Sequence, residues 1–350
     1  MHGRVYPFAA IVGQTELRVA LCVVAVDPDV GGLLLFGRRG TSKSTAVRGF
    51  AELLPEIERP EGCPIQCAPG APLGLCRACE GGRSPRPVRV RTPLVTLPLG
   101  AAEDAVTGSL DVGRALAEGV RSFEAGCLGR AHRGLLYVDE VNLLEDHLVD
   151  LLLDASASGQ NVVEREGMSV VHPARFVLVG SGNPEEGEIR PQLLDRFGLS
   201  VRVETLSDET ARVEVARRRL AFDRDPPGFA GRWADPSARL AGRIAAACRA
   251  KDELELSDDV LAGIARAAAR LGLEGHRGEL AWARSARALA ALEGVARIEP
   301  AHLALAARPA LAHRLRQDPL EPEPATRRLE EVARAAFGPP DEARLASILE

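Results

Sequence analysis

Nine residues constrain this chain more than any others: Gly37, Arg38, Arg39, Gly40, Thr41, Ser42, Lys43, Ser44 and Thr45. They follow the apolar run Gly31 to Phe36, which has the length and character of a buried strand, and they precede a segment expected to be helical from Thr45 to Leu54. A strand, a glycine-containing loop and a helix start form a phosphate cradle, because backbone N–H groups and the helix terminus both face the anion. In that cradle Lys43 reaches the β- and γ-phosphates and Ser44 ligates Mg²⁺. Ser42 stands where the pattern G-x-x-x-x-G-K-[ST] has its second glycine. A residue with a Cβ fits there only if its backbone avoids the conformations open to glycine alone.

A second segment carries the complementary chemistry. Gly134 to Val138 reads as a buried strand, and it ends in two adjacent carboxylates, Asp139 and Glu140. Asp139 at a strand's C-terminal edge is placed to hold Mg²⁺ through water, and Glu140 to polarise a water attacking a γ-phosphate. Three further groups extend the set. Asn183, in Ser181-Gly182-Asn183-Pro184, ends the next strand and reads as a sensor amide, while Arg277 opens a helix in the C-terminal half and could reach a γ-phosphate from there. Arg196 ends the stretch Arg190-Pro191-Gln192-Leu193-Leu194-Asp195.

Strand-like runs at Leu33 to Gly37, Leu94 to Leu99, Leu135 to Asp139, Phe176 to Gly180 and Leu199 to Val203 alternate with helical stretches, as a parallel α/β sheet requires. After residue 204 the sequence is Ala-, Arg- and Leu-rich and helical. The expected organisation is an α/β nucleotide-binding domain over 1–204, a linker helix over 205–228 and an all-α domain over 229–350. Two insertions interrupt the first domain: a cysteine-rich loop over about 61–91, and a β-hairpin over about 161–172 that turns at Glu166-Gly167. The stretch Glu321 to Pro324 reads as a linker between helices.

Cys63, Cys67, Cys76 and Cys79 follow the spacing C-x3-C-x8-C-x2-C. Three readings stand: a tetrahedral Cys₄ zinc site, a redox-active pair at Cys76 and Cys79, or reduced thiols without a role. Cys22, Cys127 and Cys248 lie in apolar or helical stretches and are expected in the core. Asp154-Ala155-Ser156-Ala157-Ser158 spells the D-x-S-x-S of an integrin-type metal site, but such a site follows a strand, and Leu148 to Asp154 reads as a helix.

The net charge of -5 and pI of about 5.9 supply no global basic field for nucleic acid. No apolar run approaches the roughly 18 residues of a membrane span, so the expectation is a soluble, cytoplasmic protein.

Nearly end to end, the motifs resemble one family, the AAA+ ATPase I subunit of magnesium chelatase, with the cobaltochelatase ATPase subunit close behind. The resemblance rests on Tyr6-Pro7-Phe8, Ile11-Val12-Gly13-Gln14, Leu97 to Ala101 with Glu103-Asp104, and Ala131-His132-Arg133-Gly134. It continues through Tyr137 to Leu144, Asp146 to Asp150, Val163 to Gly167, Asn183 to Gly187 and Arg190 to Gly198. It implies an AAA+ P-loop module with a five-stranded parallel sheet, a hairpin insertion and a C-terminal helical lid. It also implies a homo-oligomeric ring, a hexamer by expectation, with ATP between neighbours. The partners implied are a D subunit carrying an integrin-type domain and a large porphyrin-binding H subunit. In the family the Arg matching Arg196 is the finger that completes a neighbour's site, the Asp matching Asp195 lies at the same interface, and the Arg matching Arg277 is the lid sensor. Ser42 and the pair Ser181-Gly182 are read as departures from the family pattern.

The function expected is MgATP hydrolysis that drives Mg²⁺ insertion into protoporphyrin IX for (bacterio)chlorophyll synthesis. The alternatives are a cobaltochelatase subunit, a MoxR-type chaperone and a DNA-handling AAA+ ATPase. The hairpin, with one Arg against two Glu, does not favour the last.

Overall fold

The computed structural model of the chain describes residues 5–79, 83, 85–110, 123–165, 168–187, 189–315 and 324–350. The hairpin turn at Glu166-Gly167 and the linker residues Glu321 to Glu323 lie outside the described residues. Five strands form a sheet in the order Leu199–Arg202, Leu33–Phe36, Val177–Gly182, Leu135–Val138 and Leu94–Leu97. Leu33 faces Leu199, Val177 faces Leu135, and Leu94 faces Leu135 from the other side, all in parallel pairs. Leu33, Leu34, Leu35 and all four residues of Leu135–Val138 are buried. Strands covered on both faces need continuous apolar runs rather than alternation, which is the pattern the sequence carries.

The chain divides into two compact units, residues 1–53 with 182–350, and residues 54–181. In the first, Thr15–Val26 and the strands Leu33–Phe36 and Leu199–Arg202 are joined by a run of helices from Glu209–Arg224 to Glu342–Ile348. Arg277–Glu293 is the central helix of that run. Its Trp282 is fully buried and donates from Nε1 to the carbonyl of Leu303 at 2.7 Å, so the one polar atom of a large apolar side chain is satisfied. Helix Pro300–Leu311 begins in a capping box in which Glu299 and His302 satisfy each other's backbone N–H groups, closing two donors that a helix start otherwise leaves unmet. Asp27, with no exposed surface, binds Lys251 at 3.3 Å and Arg287 at 2.6 Å.

In the second unit the cysteine segment hangs from an antiparallel ribbon, Ile57–Pro60 with Pro87–Val90, in which Pro60 faces Pro87. A proline pair cannot extend a hydrogen-bonded ladder, so pairing stops there and the loop begins. A second ribbon, Gly108–Leu110 with Phe123–Ala125, was not legible in the sequence. The expected hairpin is present as Gln160–Arg165 with Met168–Pro173; Val163 and Val170 point into the unit while Val162 and Val171 are half exposed.

Most boundaries shift by one to three residues from expectation. The helix after the phosphate loop is Lys43–Ala51, two residues earlier at its start because the turn is completed at Ser42. The strand expected to stop at Gly180 runs to Gly182, which puts Ser181 in the sheet. The strand from Leu94 ends at Leu97, before Pro98. Asp154 to Ser158 lies within helix Asp146–Ser158, as the reading against an integrin-type site requires. Cys22 and Cys127 are buried, whereas Cys248 is only partly so.

Candidate functional site

The phosphate loop is built by backbone. A Cβ on Gly37 would lie 2.2 Å from the carbonyl oxygen of Val203, so no larger residue fits where the strand turns into the loop. Gly40 has φ 80° and open space around it, and its glycine is required by conformation instead. Ser42 adopts φ 67°, ψ 15°. That is the left-handed helical region, which an L-residue can enter at a cost of about 1–2 kcal/mol. The serine is therefore compatible with the loop and strained by it. Lys43 Nζ folds over the loop and donates to the carbonyls of Gly37 and Arg38, the latter at 2.8 Å, with Thr41 Oγ1 at 3.5 Å. Thr41 Oγ1 in turn donates to the Arg38 carbonyl at 2.8 Å. Arg38 and Arg39, on the exposed rim, pair with Glu185 and Glu186.

Beside Gly40, Thr41, Ser42 and Thr45 opens a cavity of about 470 Å³ whose far wall includes Ile11, Val12 and Leu206. Arg212 and Arg219 of helix Glu209–Arg224 also face it. A polar rim of loop backbone against an aliphatic wall suits a ligand with an anionic end and a flat apolar end. This wall carries no signal in the sequence, because Ile11 and Leu206 are far apart in the chain and neither is polar.

The acidic strand end is built by side chains. Asp139 Oδ1 accepts a hydrogen bond from Ser181 Oγ at 2.6 Å and one from the Tyr137 hydroxyl at 2.9 Å. Ser181 Oγ accepts from the backbone N–H of Glu140 at 3.1 Å and lies 3.2 Å from the Tyr137 hydroxyl. Glu140 has φ 57°, so the chain turns sharply between the two carboxylates while Ser181 holds both neighbours of the turn. Ser181, read from the sequence as a departure ahead of the sensor, shares with Tyr137 the holding of the Asp139 carboxylate and fixes the Glu140 backbone.

Asn183 is nearly fully buried; its Oδ1 accepts from Glu185 N at 3.2 Å, which leaves the carboxamide nitrogen as its donor. At the end of helix Pro191–Arg196, Asp195 is gripped by two arginines: Arg277 Nη1 at 3.4 Å and Arg314 Nε at 3.8 Å. Arg314 also donates to the carbonyls of Asp195 at 3.0 Å and Phe197 at 2.7 Å. His313 Nε2 lies 3.0 Å from the Phe197 carbonyl and 3.3 Å from Arg314 Nη1, and burial holds its imidazole down to about 3, so it is neutral at pH 7. The backbone on either side of Arg196 is therefore fixed by the helical region, and Arg277 lies in that same cluster. Arg314 and His313 were not singled out from sequence because nothing local distinguishes them from other helix residues.

Cys63, Cys67, Cys76 and Cys79 converge in the other unit. All four are buried. The Sγ atoms of Cys63, Cys76 and Cys79 lie within 4.8 Å of one another, and Cys67 lies outside that trio. The neighbouring thiols of Cys67 and Cys76 hold the Cys63 thiol far below its ordinary value.

The geometry of the loop, the acidic strand end and the helical region agrees with what the chain is similar to. A family model described as magnesium chelatase, subunit ChlI, matches residues 110–189, and one described as the AAA lid domain matches residues 261–332. The magnesium-chelatase 38 kDa subunit of Acidiphilium rubrum is 54% identical over 335 residues, 95% of this chain and 97% of that protein. Its counterpart in Rhodobacter capsulatus is 53% identical over 325 residues, 93% and 92% of the two chains. The chloroplastic magnesium-chelatase subunit ChlI of Oryza sativa subsp. indica is 47% identical over 322 residues, 91% and 77% of the two. Among solved structures, a model of the complex between subunits BchI and BchD of magnesium chelatase contains a chain 51% identical, with a TM-score of 0.55, covering 93% of this chain and 99% of that one. A Cytophaga hutchinsonii protein at 15% identity and a TM-score of 0.62, covering 93% and 90%, shares the fold. With half its residues shared over nearly the whole of both chains, this protein belongs to the magnesium chelatase I-subunit family of AAA+ ATPases.

Proposed function

We propose that this chain is the ATP-hydrolysing subunit of a magnesium chelatase, whose turnover drives Mg²⁺ insertion into protoporphyrin IX by partner subunits in (bacterio)chlorophyll synthesis. The observation that carries the reading is identity of about half over nearly full length to magnesium-chelatase subunits. Family membership implies ATP and Mg²⁺, and the loop fits a polyphosphate: a backbone cradle that excludes a Cβ at Gly37, and a lysine already folded onto it.

Gly37 to Thr45 would wrap the phosphates, with Lys43 neutralising charge at the β and γ positions. Ser44 and Asp139 would hold the Mg²⁺ of MgATP. Glu140 would orient the attacking water and Asn183 would sense the γ-phosphate through its carboxamide. The aliphatic wall of Ile11, Val12 and Leu206 suits the base. Arg196 is assigned to the neighbouring subunit's site, where a guanidinium supplied in trans stabilises charge spreading over the γ-phosphoryl oxygens. Arg277 would report nucleotide state to the helical region by exchanging Asp195 for phosphate.

The domain boundaries near 204 and 228 belong to this reading, as do a hexameric ring, a D subunit and a porphyrin-binding H subunit. BchI and BchD form a complex in the related system, which supports the D partner. No described helix is long and apolar enough to cross a membrane, and the proposed location is the cytoplasm.

The test is insertion itself. Added to cognate D and H subunits with ATP, Mg²⁺ and protoporphyrin IX, the chain should produce the fluorescence of Mg-porphyrin, and the Lys43→Ala variant should not. Hydrolysis of ATP without product, in an assay that a known I subunit completes, would refute the magnesium assignment; product with Co²⁺ in its place would move the chain to the cobaltochelatases.

A further inference from the structure

The loop between Pro60 and Pro87 has almost no core of its own. Its buried cluster consists of the four cysteines and Ile65, packed against Phe123, Val163 and Val170. A thiol buries little more apolar surface than a methyl group, and a cluster half made of thiols holds a loop of this length weakly. Four cysteines drawn inward on such a segment need a stronger reason than packing.

Their geometry supplies one. Cys63 and Cys76 sulfurs are 3.9 Å apart and Cys76 and Cys79 sulfurs 3.1 Å. Tetrahedral zinc with Zn–S of about 2.3 Å places its sulfurs ~3.8 Å apart, close to the spacing within the trio Cys63, Cys76 and Cys79; Cys67 lies outside that trio and must turn its side chain inward to supply the fourth thiolate. A disulfide needs about 2.05 Å, and every cysteine here is free. Two guanidiniums sit on the backbone of the cysteine segment, Arg59 on the Cys63 carbonyl and Arg133 at 3.4 Å from the Gln66 carbonyl and 3.5 Å from that of Cys67. A four-thiolate zinc site carries a net charge of about -2, and cations on its backbone offset it. A redox pair, by contrast, needs an accessible thiolate, and Cys76 and Cys79 are 2% and 1% exposed.

We propose that Cys63, Cys67, Cys76 and Cys79 bind one zinc ion as a closed structural site that pins the loop to Phe123 and to the inner face of the hairpin through Val163 and Val170. The site is independent of the nucleotide reading: it uses none of the residues assigned to ATP, and it stands or falls by metal content.

The test uses the full chain purified from zinc-supplemented cells. About one zinc per chain is expected, released on modifying the thiols with a mercurial. Replacement by Co²⁺ should give the intense visible bands of tetrahedral thiolate coordination. Cys67→Ser and Cys76→Ser should each lower retained zinc at least tenfold, while MgATP binding, followed separately, reports whether the variant is folded. Should the variants not fold, the metal content and cobalt spectrum of the unaltered chain still decide. Metal-free protein with four freely reactive thiols, a Cys76–Cys79 disulfide, or bound iron in place of zinc would overturn the proposal.

Discussion

The phosphate loop and the acidic strand end hold their key residues by opposite means. The loop fixes Lys43 with main-chain carbonyls of Gly37 and Arg38, and its shape depends on where a Cβ is forbidden. The strand end fixes Asp139 with two hydroxyls, from Tyr137 and Ser181. A site made of backbone is written in consecutive residues and tolerates an odd side chain, as Ser42 shows. A site made of side chains depends on partners far away in sequence, and Ser181 is such a partner.

The largest expected effect comes from attacking the backbone where it is tightest. Gly37→Ala drives a methyl into the Val203 carbonyl at 2.2 Å; overpacking of this kind costs about 1–3 kcal/mol or more. MgATP binding measured by calorimetry should be lost or nearly so. Wild-type affinity would mean that the loop is not rigidly held at that carbonyl.

Ser181→Ala should come next, since it removes one hydroxyl from Asp139 and the acceptor for Glu140 N–H. Hydrogen bonds to a charged group contribute about 1.5–3 kcal/mol, so steady-state hydrolysis should fall by about tenfold or more with MgATP affinity little changed. Tyr137→Phe should show the same pattern more weakly. If either variant lost affinity rather than turnover, the division between binding and orienting regions would collapse.

Acid should affect both units in the same sense. Burial holds His132 down to about 4 and His313 to about 3, below the ordinary imidazole value of about 6.5. A depressed histidine is neutral when folded, so the unfolded chain binds more protons as pH falls through about 6.5. Stability is therefore full above that pH and declines down to about 4 for the His132 contribution and about 3 for that of His313, as urea midpoints measured along the series should record. A midpoint flat from neutral pH to pH 5 would contradict the burial of these rings.

The smallest effect sharpens the comparison most. Ser42→Gly relieves a left-handed backbone at φ 67°, a gain of about 1 kcal/mol reduced by the glycine's freedom in the unfolded chain. Urea midpoints should rise slightly with MgATP affinity and kcat unchanged; weaker MgATP binding would mean that the serine side chain contributes a contact of its own.

Much of this was legible in the sequence. The five strands, the loop, the hairpin and the helical second half follow from contiguous patterns: apolar runs, a glycine-lysine motif, alternation around a turn. What was not legible depends on residues meeting from afar. Asp27 looks like an ordinary residue before Pro28, yet it is a fully buried anion held by Lys251 and Arg287. The wall of Ile11, Val12 and Leu206 carries no polar signature. Arg314 and His313 matter only because the Asp195 to Phe197 backbone is brought to them. Ser181 is visible in the sequence only as a departure from the family pattern; its role depends on Tyr137, Asp139 and Glu140, which meet it in space.

The most direct test compares MgATP binding and single-turnover hydrolysis in Lys43→Ala and Glu140→Gln side by side. Lys43→Ala should fail to bind, whereas Glu140→Gln should bind as the unaltered chain does while its hydrolysis falls by about 10² or more. A Glu140→Gln chain that still hydrolyses at the unaltered rate, or a Lys43→Ala chain that binds as tightly, would contradict these roles.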